Sequence, residues 1–205
     1  MNDLDNAESV VFSLARIIEA KDPFTLGHSD RVSKYAVALG KILRCSEEEL
    51  KILGHGGLLH DVGKVSIPDS ILLKPGQLTP EEFEIMKSHP MVGYTICERL
   101  RSAKDALPLI RHHHEKLNGD GYPDGLKGDE IPMLVRVITI VDIYDALTSR
   151  RSYKDAWSNE RTFKVMHEEV KKGWWDGAVL EAWEKAINSG EINHLLSQPQ
   201  SSSKN

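Results

Sequence analysis

Cysteine is scarce: two residues in 205, Cys45 and Cys97, in helix-like segments. Neither has the paired spacing of a zinc ribbon or dithiol centre, so both read as reduced, partly buried thiols. Long apolar runs are missing too. No stretch approaches the roughly eighteen residues a membrane-spanning helix needs. The N-terminus, MNDLDNAESVV, is acidic and lacks the basic-then-apolar order of a secretory signal. These absences predict a cytoplasmic protein without membrane contact. Basic charge is not in excess, with 26 Lys and Arg against 31 Asp and Glu, net −5. That excludes a general binder of duplex nucleic acid, whose surface must neutralise phosphates. A small phosphate ligand in one pocket stays compatible, because metal ions can supply the positive charge there. Internal repeats and convincing strand pairs are also lacking.

What the chain has is enough apolar material for a core, 40% hydrophobic against 28% charged, and nine histidines. Residues 7–20 pattern as an amphipathic helix with Val10, Val11, Leu14, Ile17 and Ile18 on one stripe. Pro23 suits the first position of the next helix, which continues through Val32, Tyr35, Ala36, Leu39, Ile42 and Leu43. A third helix over 47–62 starts from Ser46, with Glu49 completing a capping box. Lys74–Leu78 is a turn, and Thr79-Pro80 opens another helix. His89-Pro90 restarts a helix to about Arg101, and 104–115 follows as helix. Asn118–Asp129 holds four glycines and a proline and must be a loop. Residues 132–148 are rich in Val and Ile, but Pro132 and the segment's length favour a buried helix over a strand. Helices over 158–172 and 176–188 complete an all-α reading. The tail from 191 to 205, ending QPQSSSKN, is expected to be disordered.

His60-Asp61 is the first chemical signal. Neighbours on a helix diverge by about 100°, so two adjacent residues serve one metal centre only near a helix end or bend. Val62-Gly63 supplies that irregularity. His28, His89, His113 and His114 fall at helix starts, ends or faces. Asp142 lies among Ile140, Val141 and Ile143, where a carboxylate is costly unless paired or metal-bound. Taken singly, each histidine reads as packing. Together, five His and two Asp can supply two divalent ions sharing one carboxylate. Imidazole and carboxylate without thiolate suit Fe, Mn or Zn rather than Mg or Ca.

An ordered set of motifs between about residues 20 and 156 resembles the HD-GYP branch of the HD phosphohydrolase superfamily. It comprises His28-Ser29-Asp30-Arg31-Val32, Leu59-His60-Asp61-Val62-Gly63-Lys64, Ile67-Pro68-Asp69, Lys74-Pro75-Gly76-Gln77-Leu78-Thr79, Met86-Lys87-Ser88-His89-Pro90, His113-His114-Glu115, Gly119-Asp120-Gly121-Tyr122-Pro123 and Val141–Leu147. The resemblance implies an HD-superfamily helical bundle with a central metal site, occupying 21–190 behind an N-terminal helix over 1–20. It implies one ion on His28, His60, Asp61 and Asp142, and a second on the bridging Asp61 with His89, His113 and His114. Lys64 would face the scissile phosphate, Arg151 and Lys154 would bind substrate phosphates, and Gly121, Tyr122 and Pro123 would line the substrate. The implied activity is hydrolysis of cyclic di-GMP to pGpG, with GMP a further product, by a hydroxide bridging two ions, Fe or Mn first.

Departures matter. Phe24 stands where some members carry a glutamate that helps hold a third ion, so two are expected. Leu117-Asn118 and Ser152 replace residues frequent beside the GYP loop. The alternatives are an HD phosphohydrolase for another nucleotide and a non-catalytic sensor of cyclic di-GMP or a protein. A protein partner would engage the GYP loop or the Trp174-Trp175 region, although Trp174, Trp175 and Trp183 sit at helical spacing and are expected in the core. His55, His112, His167 and His194 are expected as surface or packing residues. Regulatory input is expected from outside the first twenty residues.

Overall fold

Local caps set where the helices begin. The structure, a computed structural model, describes residues 13, 15–17, 19, 26–149 and 156–197. Ser46 and Thr79 each close a capping box, with Glu49 and Glu82, as their sequence patterns predict. The helices are α1 His28–Ile42, α2 Glu47–Leu59, α3 Asp69–Leu72, α4 Pro80–Met86, α5 His89–Cys97, α6 Leu107–His112, α7 Met133–Thr148, α8 Asn159–Lys171, α9 Gly177–Ser189 and α10 Glu191–Ser197. Short 3-10 turns cover Val62–Ser66, Arg101–Ala106 and Gly128–Glu130. Among the described residues no strand pair forms; a lone bridge joins Asn118 to Lys127.

α1 lies along α2 and α7, and α7 meets α8 and α9. Their shared core holds Val32, Leu39, Val135, Ile138, Val141, Met166, Leu180 and Trp183. α7 is buried on most of its faces, with Val137, Thr139 and Ile140 also enclosed, which explains its strand-like sequence: a helix with little wet surface loses the 3.6-residue rhythm. A second cluster gathers Ala15, Leu59, Val62, Cys97, Ala103 and Ile110.

Several expected boundaries move. α1 starts at His28, not near Pro23, because Gly27 turns at φ 75 into a left-handed cap; residues 20–25, Phe24 included, lie outside the described residues. α2 stops at Leu59 and α5 at Cys97, and 104–115 resolves into a 3-10 turn, α6 and a turn at His113-His114. Residues 13, 15–17 and 19 are helical, but Ile17, placed on the buried stripe, is exposed while Ala15 is buried. The tail is not disordered throughout. Gly190 reverses the chain at φ 76, and α10 docks on α1 through buried Ile192, because Ile192 and Leu195 give it an apolar face. Residues 198–205 lie outside the described residues. Trp183 is fully buried as expected, whereas Trp174 and Trp175 are half-buried; Lys116 sits 3.4 Å above the Trp174 ring.

Candidate metal centre

The centre forms where α2 ends. His60 closes the helix, Asp61 leaves it at φ −96 and ψ 3, and the Val62–Ser66 turn follows. Neighbouring side chains can converge there, as the irregular Val62-Gly63 predicted. Two glycines permit close approach. A Cβ at Gly57 would overlap the Ser33 backbone, so its absence lets α1 press against α2. A Cβ at Gly63 would overlap the carbonyl oxygen of His89 and the amide of Gly93, so its absence seats α5 against the turn.

Three histidines are held by one device. Nδ1–H of His60 donates to Gly57 O at 2.9 Å, that of His89 to Met86 O at 2.8 Å, and that of His113 to Ile110 O at 3.0 Å. A carbonyl can only accept, so each ring carries its proton on Nδ1 and turns the Nε2 lone pair inward. His60 Nε2 is buried with no hydrogen-bond partner. His89 Nε2 and His113 Nε2 face each other at 3.3 Å. Lone pairs so confined suit a cation.

Two groups emerge, His28 with His60 and Asp142, and His89 with His113 and His114, the candidate donor atoms within each lying within 4.8 Å of one another. Asp61 stands between. Its Oδ2 is 3.8 Å from His28 Nε2 and 3.4 Å from His60 Nε2, while its Oδ1 is 3.3 Å from His89 Nε2 and 4.0 Å from His113 Nε2. Asp142 Oδ1 lies 3.1 Å from His28 Nε2 and 3.7 Å from His60 Nε2. Lys64 Nζ reaches Asp61 Oδ2 at 2.5 Å.

Apart from His28, the protonation states of the shifted groups are those that ligands need. Burial, then the neighbouring His89 imidazole, pushes His114 down to about 3. Burial likewise lowers His60, and burial with His114 holds His113 far below its ordinary value. Burial alone would raise Asp61, but Lys64, His60 and His89 outweigh it and hold the carboxylate ionised. Burial is also the largest effect on Asp142, overcome by His28 and His60. His28 differs: burial lowers it, yet hydrogen bonds to Asp142 and Asp145 carry it up to about 9.

Several supporting residues were given no role in the sequence, although Arg31, Glu115 and Asp145 lie within its motifs. Asp145 Oδ2 accepts from His28 Nδ1 at 2.7 Å, and Arg31 binds both oxygens of Asp145 at 2.6 and 2.9 Å. Asp145 lies three residues from Asp142 on α7, the one signal that could have marked it. Buried Glu19 accepts from the amides of Gly27 and Ser29 on either side of His28. Thr139 Oγ1 donates to the His113 carbonyl at 2.9 Å. Glu115, 2% exposed, accepts from the amides of Asp124, Gly125 and Leu126 at 2.6, 3.0 and 3.1 Å. It thereby ties the 118–129 loop to the end of the second histidine group.

That loop carries Gly121, Tyr122 and Pro123. Tyr122 stacks on His114, ring centroids 4.8 Å apart at 27°. A Cβ at Gly121 would overlap the backbone of Glu115 and Lys116. His112 binds Asp124 at 2.9 Å, beside Arg111; His167 binds Glu184 at 2.7 Å and His55 meets Ser102 O at 3.3 Å. His194 is on the exposed side of α10. Arg151, Ser152 and Lys154 lie outside the described residues.

A family model described as an HD domain matches residues 13–179. The cyclic di-GMP phosphodiesterase response regulator RpfG of Xanthomonas campestris is 40% identical over 170 residues, covering 82% of this chain and 45% of its own length. The 3'3'-cGAMP-specific phosphodiesterase 2 of Vibrio cholerae is 41% identical over 159 residues, covering 77% of this chain and 30% of its own. The crystal structure of a cyclic GMP-AMP-specific phosphodiesterase from V. cholerae aligns over 92% of this chain and 50% of that one, at a TM-score of 0.67 and 20% identity, a likeness of fold. The chain thus spans less than half the length of these two curated relatives.

Proposed function

The chain belongs to the HD domain family, and on that premise we propose that it is a metal-dependent phosphodiesterase that opens cyclic di-GMP to pGpG, with GMP a further product. The observation that carries this reading is Asp61, whose two oxygens face two separate groups of inward-turned imidazoles. Such a carboxylate is suited to bridge. His28, His60 and Asp142 would hold one divalent ion with it, and His89, His113 and His114 the other. The orphaned Nε2 of His60 and the opposed nitrogens of His89 and His113 fit that role. A donor set of imidazole and carboxylate, without thiolate, favours Fe or Mn. When bound, the ions supply Lewis acidity, easing water deprotonation and neutralising charge on the phosphate.

The chain's own groups do the rest. Lys64, paired with Asp61 and 21% exposed, presents a positive donor at the rim of the centre for a phosphate oxygen as its charge grows. Asp145 and the three backbone carbonyls fix the imidazole tautomers. Glu115 and the Tyr122–His114 stack hold the Gly121-Tyr122-Pro123 loop over the second group, where a dinucleotide would be lined. Arg151 and Lys154 are assigned to the substrate phosphates on the family motif.

A second substrate has specific support: a relative specific for 3'3'-cGAMP is as similar to this chain as one acting on cyclic di-GMP. Among the described residues no helix is long and apolar enough to cross a membrane; we assign the protein to the cytoplasm. A protein partner would meet the 118–129 loop or the half-buried Trp174-Trp175 face. Chromatography of products from cyclic di-GMP and 3'3'-cGAMP at equal concentration tests the substrate assignment. Linear pGpG formed faster than linear cGAMP product is expected; the reverse order would transfer the assignment to 3'3'-cGAMP.

A further inference from the structure

Phe83 is 44% exposed on α4, the short helix that precedes His89. One exposed aromatic on a surface is ordinary, but Phe83 belongs to a ladder of rings. It stands edge-on to Tyr122, centroids 6.2 Å apart and planes at 85°. Tyr122 stacks on His114, and His114 lies 5.1 Å from His89. The ladder therefore runs from the second histidine group out to solvent. Lys87, one helical turn beyond Phe83, places its ammonium 5.1 Å from the Phe83 centroid and 5.9 Å from that of Tyr122. Its partner is Glu84 Oε1 at 2.6 Å, with the Glu84 side chain 69% exposed. A pair that wet is weak, so the ammonium can change partner at little cost.

Resting on the cyclic dinucleotide reading above, we propose that Phe83 and Lys87 form a nucleobase platform, Phe83 stacking a purine and Lys87 reading its edge. An exposed phenyl ring with a neighbour set edge-on to it offers a flat face to any base. Guanine presents two acceptors, O6 and N7, to an ammonium; adenine presents one acceptor beside an amino donor. The platform therefore prefers guanine. Tyr122 cannot take the same part on the face that His114 covers, so its role is to hold Phe83 on edge. With the phosphate at Asp61 and Lys64, a base of the same nucleotide is directed along the ladder toward Phe83.

The test compares steady-state kinetics of the metal-loaded full chain with cyclic di-GMP, cyclic di-AMP and methyl p-nitrophenyl phosphate, a diester without a nucleobase. Phe83→Ala should raise KM for cyclic di-GMP about tenfold, leave kcat nearly unchanged and leave the base-free diester unaffected. Phe83→Trp should restore KM. Lys87→Met should raise KM for cyclic di-GMP about fivefold and narrow its advantage over cyclic di-AMP. An unchanged KM in Phe83→Ala, or equal losses on all three substrates, would overturn the platform while leaving the phosphodiesterase reading intact. A wild-type protein that cleaves the base-free diester but no cyclic dinucleotide would overturn the substrate assignment, and the platform with it.

Discussion

His28 and Asp145 are joined at 2.7 Å between Nδ1 and Oδ2, so the nitrogen opposite, Nε2, is aimed at Asp142 and Asp61. One ring thus connects a supporting carboxylate to a candidate ligand three residues away on the same helix. Arg31 occupies the remaining oxygen of Asp145 and also donates to Ser149 Oγ at 3.1 Å. The supporting carboxylate is therefore fully employed before any ion arrives.

Asp145→Asn should keep the shape of the site but weaken its hold on His28. Affinity for the ion of the first group should fall about 10- to 100-fold, read by chelator competition with Mn(II). Unchanged affinity would remove Asp145 from the account.

The pH dependence of metal uptake follows from His28. In metal-free protein its pKa stands at about 9, above its ordinary 6.5, because hydrogen bonds to Asp142 and Asp145 outweigh burial. A raised pKa means that the protonated ring stabilises the metal-free fold fully below 6.5, and that this contribution is lost as pH rises through about 9. An incoming ion must displace that proton. Calorimetry near pH 7 in buffers of different ionisation enthalpy should show about one proton released, and affinity should rise about tenfold per pH unit toward 9. Uptake without proton release would mean that His28 is neutral or is not a ligand.

Gly63→Ala puts a methyl group into the His89 carbonyl and the Gly93 amide. Overpacking of this kind costs about 1–3 kcal/mol, and the displaced His89 should lower the metal content of the second group. Gly54→Ala is the control, since its Cβ would meet Val37 at an ordinary 3.6 Å; urea melts should show it as neutral or stabilising.

Glu115→Gln replaces a carboxylate that accepts three amides with a group that must turn an NH2 toward them. Loss of about 1–3 kcal/mol is expected locally. Hydrogen exchange at residues 124–126 should accelerate and KM should rise, with metal content unchanged. Protection equal to wild type would show that the loop is held by other contacts.

Five of the seven candidate ligands stood out because they sit at helix ends or bends that the sequence marks: Val62-Gly63 after His60-Asp61, Pro90 after His89, a glycine-rich loop after His113-His114; His28 had no such mark. Asp142 declared itself as a carboxylate among aliphatic neighbours. The roles of the supporting residues were not legible, because their partners are remote. Asp145 meets His28 across 117 positions, and in the sequence it reads as one more polar residue near a helix end. Glu115 is hidden for another reason: its three partners are backbone amides, which carry no residue signature. The start of α1 was missed because Pro23 is a stronger helix signal than Gly27, and a left-handed cap is invisible without φ. The docking of α10 was lost in a tail whose last residues are polar.

In the proposed centre, Asp61 would join two ions at one phosphodiesterase site. The most direct measurement is turnover of cyclic di-GMP by protein purified without chelator and reconstituted anaerobically with Fe(II) or Mn(II), alongside Asp61→Ala, with bound metal counted in both. About two ions per wild-type chain and metal-dependent release of pGpG are expected, with a lower metal count and no pGpG in the variant. Two bound ions with no cleavage would contradict the substrate, and turnover by Asp61→Ala at the wild-type rate would contradict the bridged centre itself.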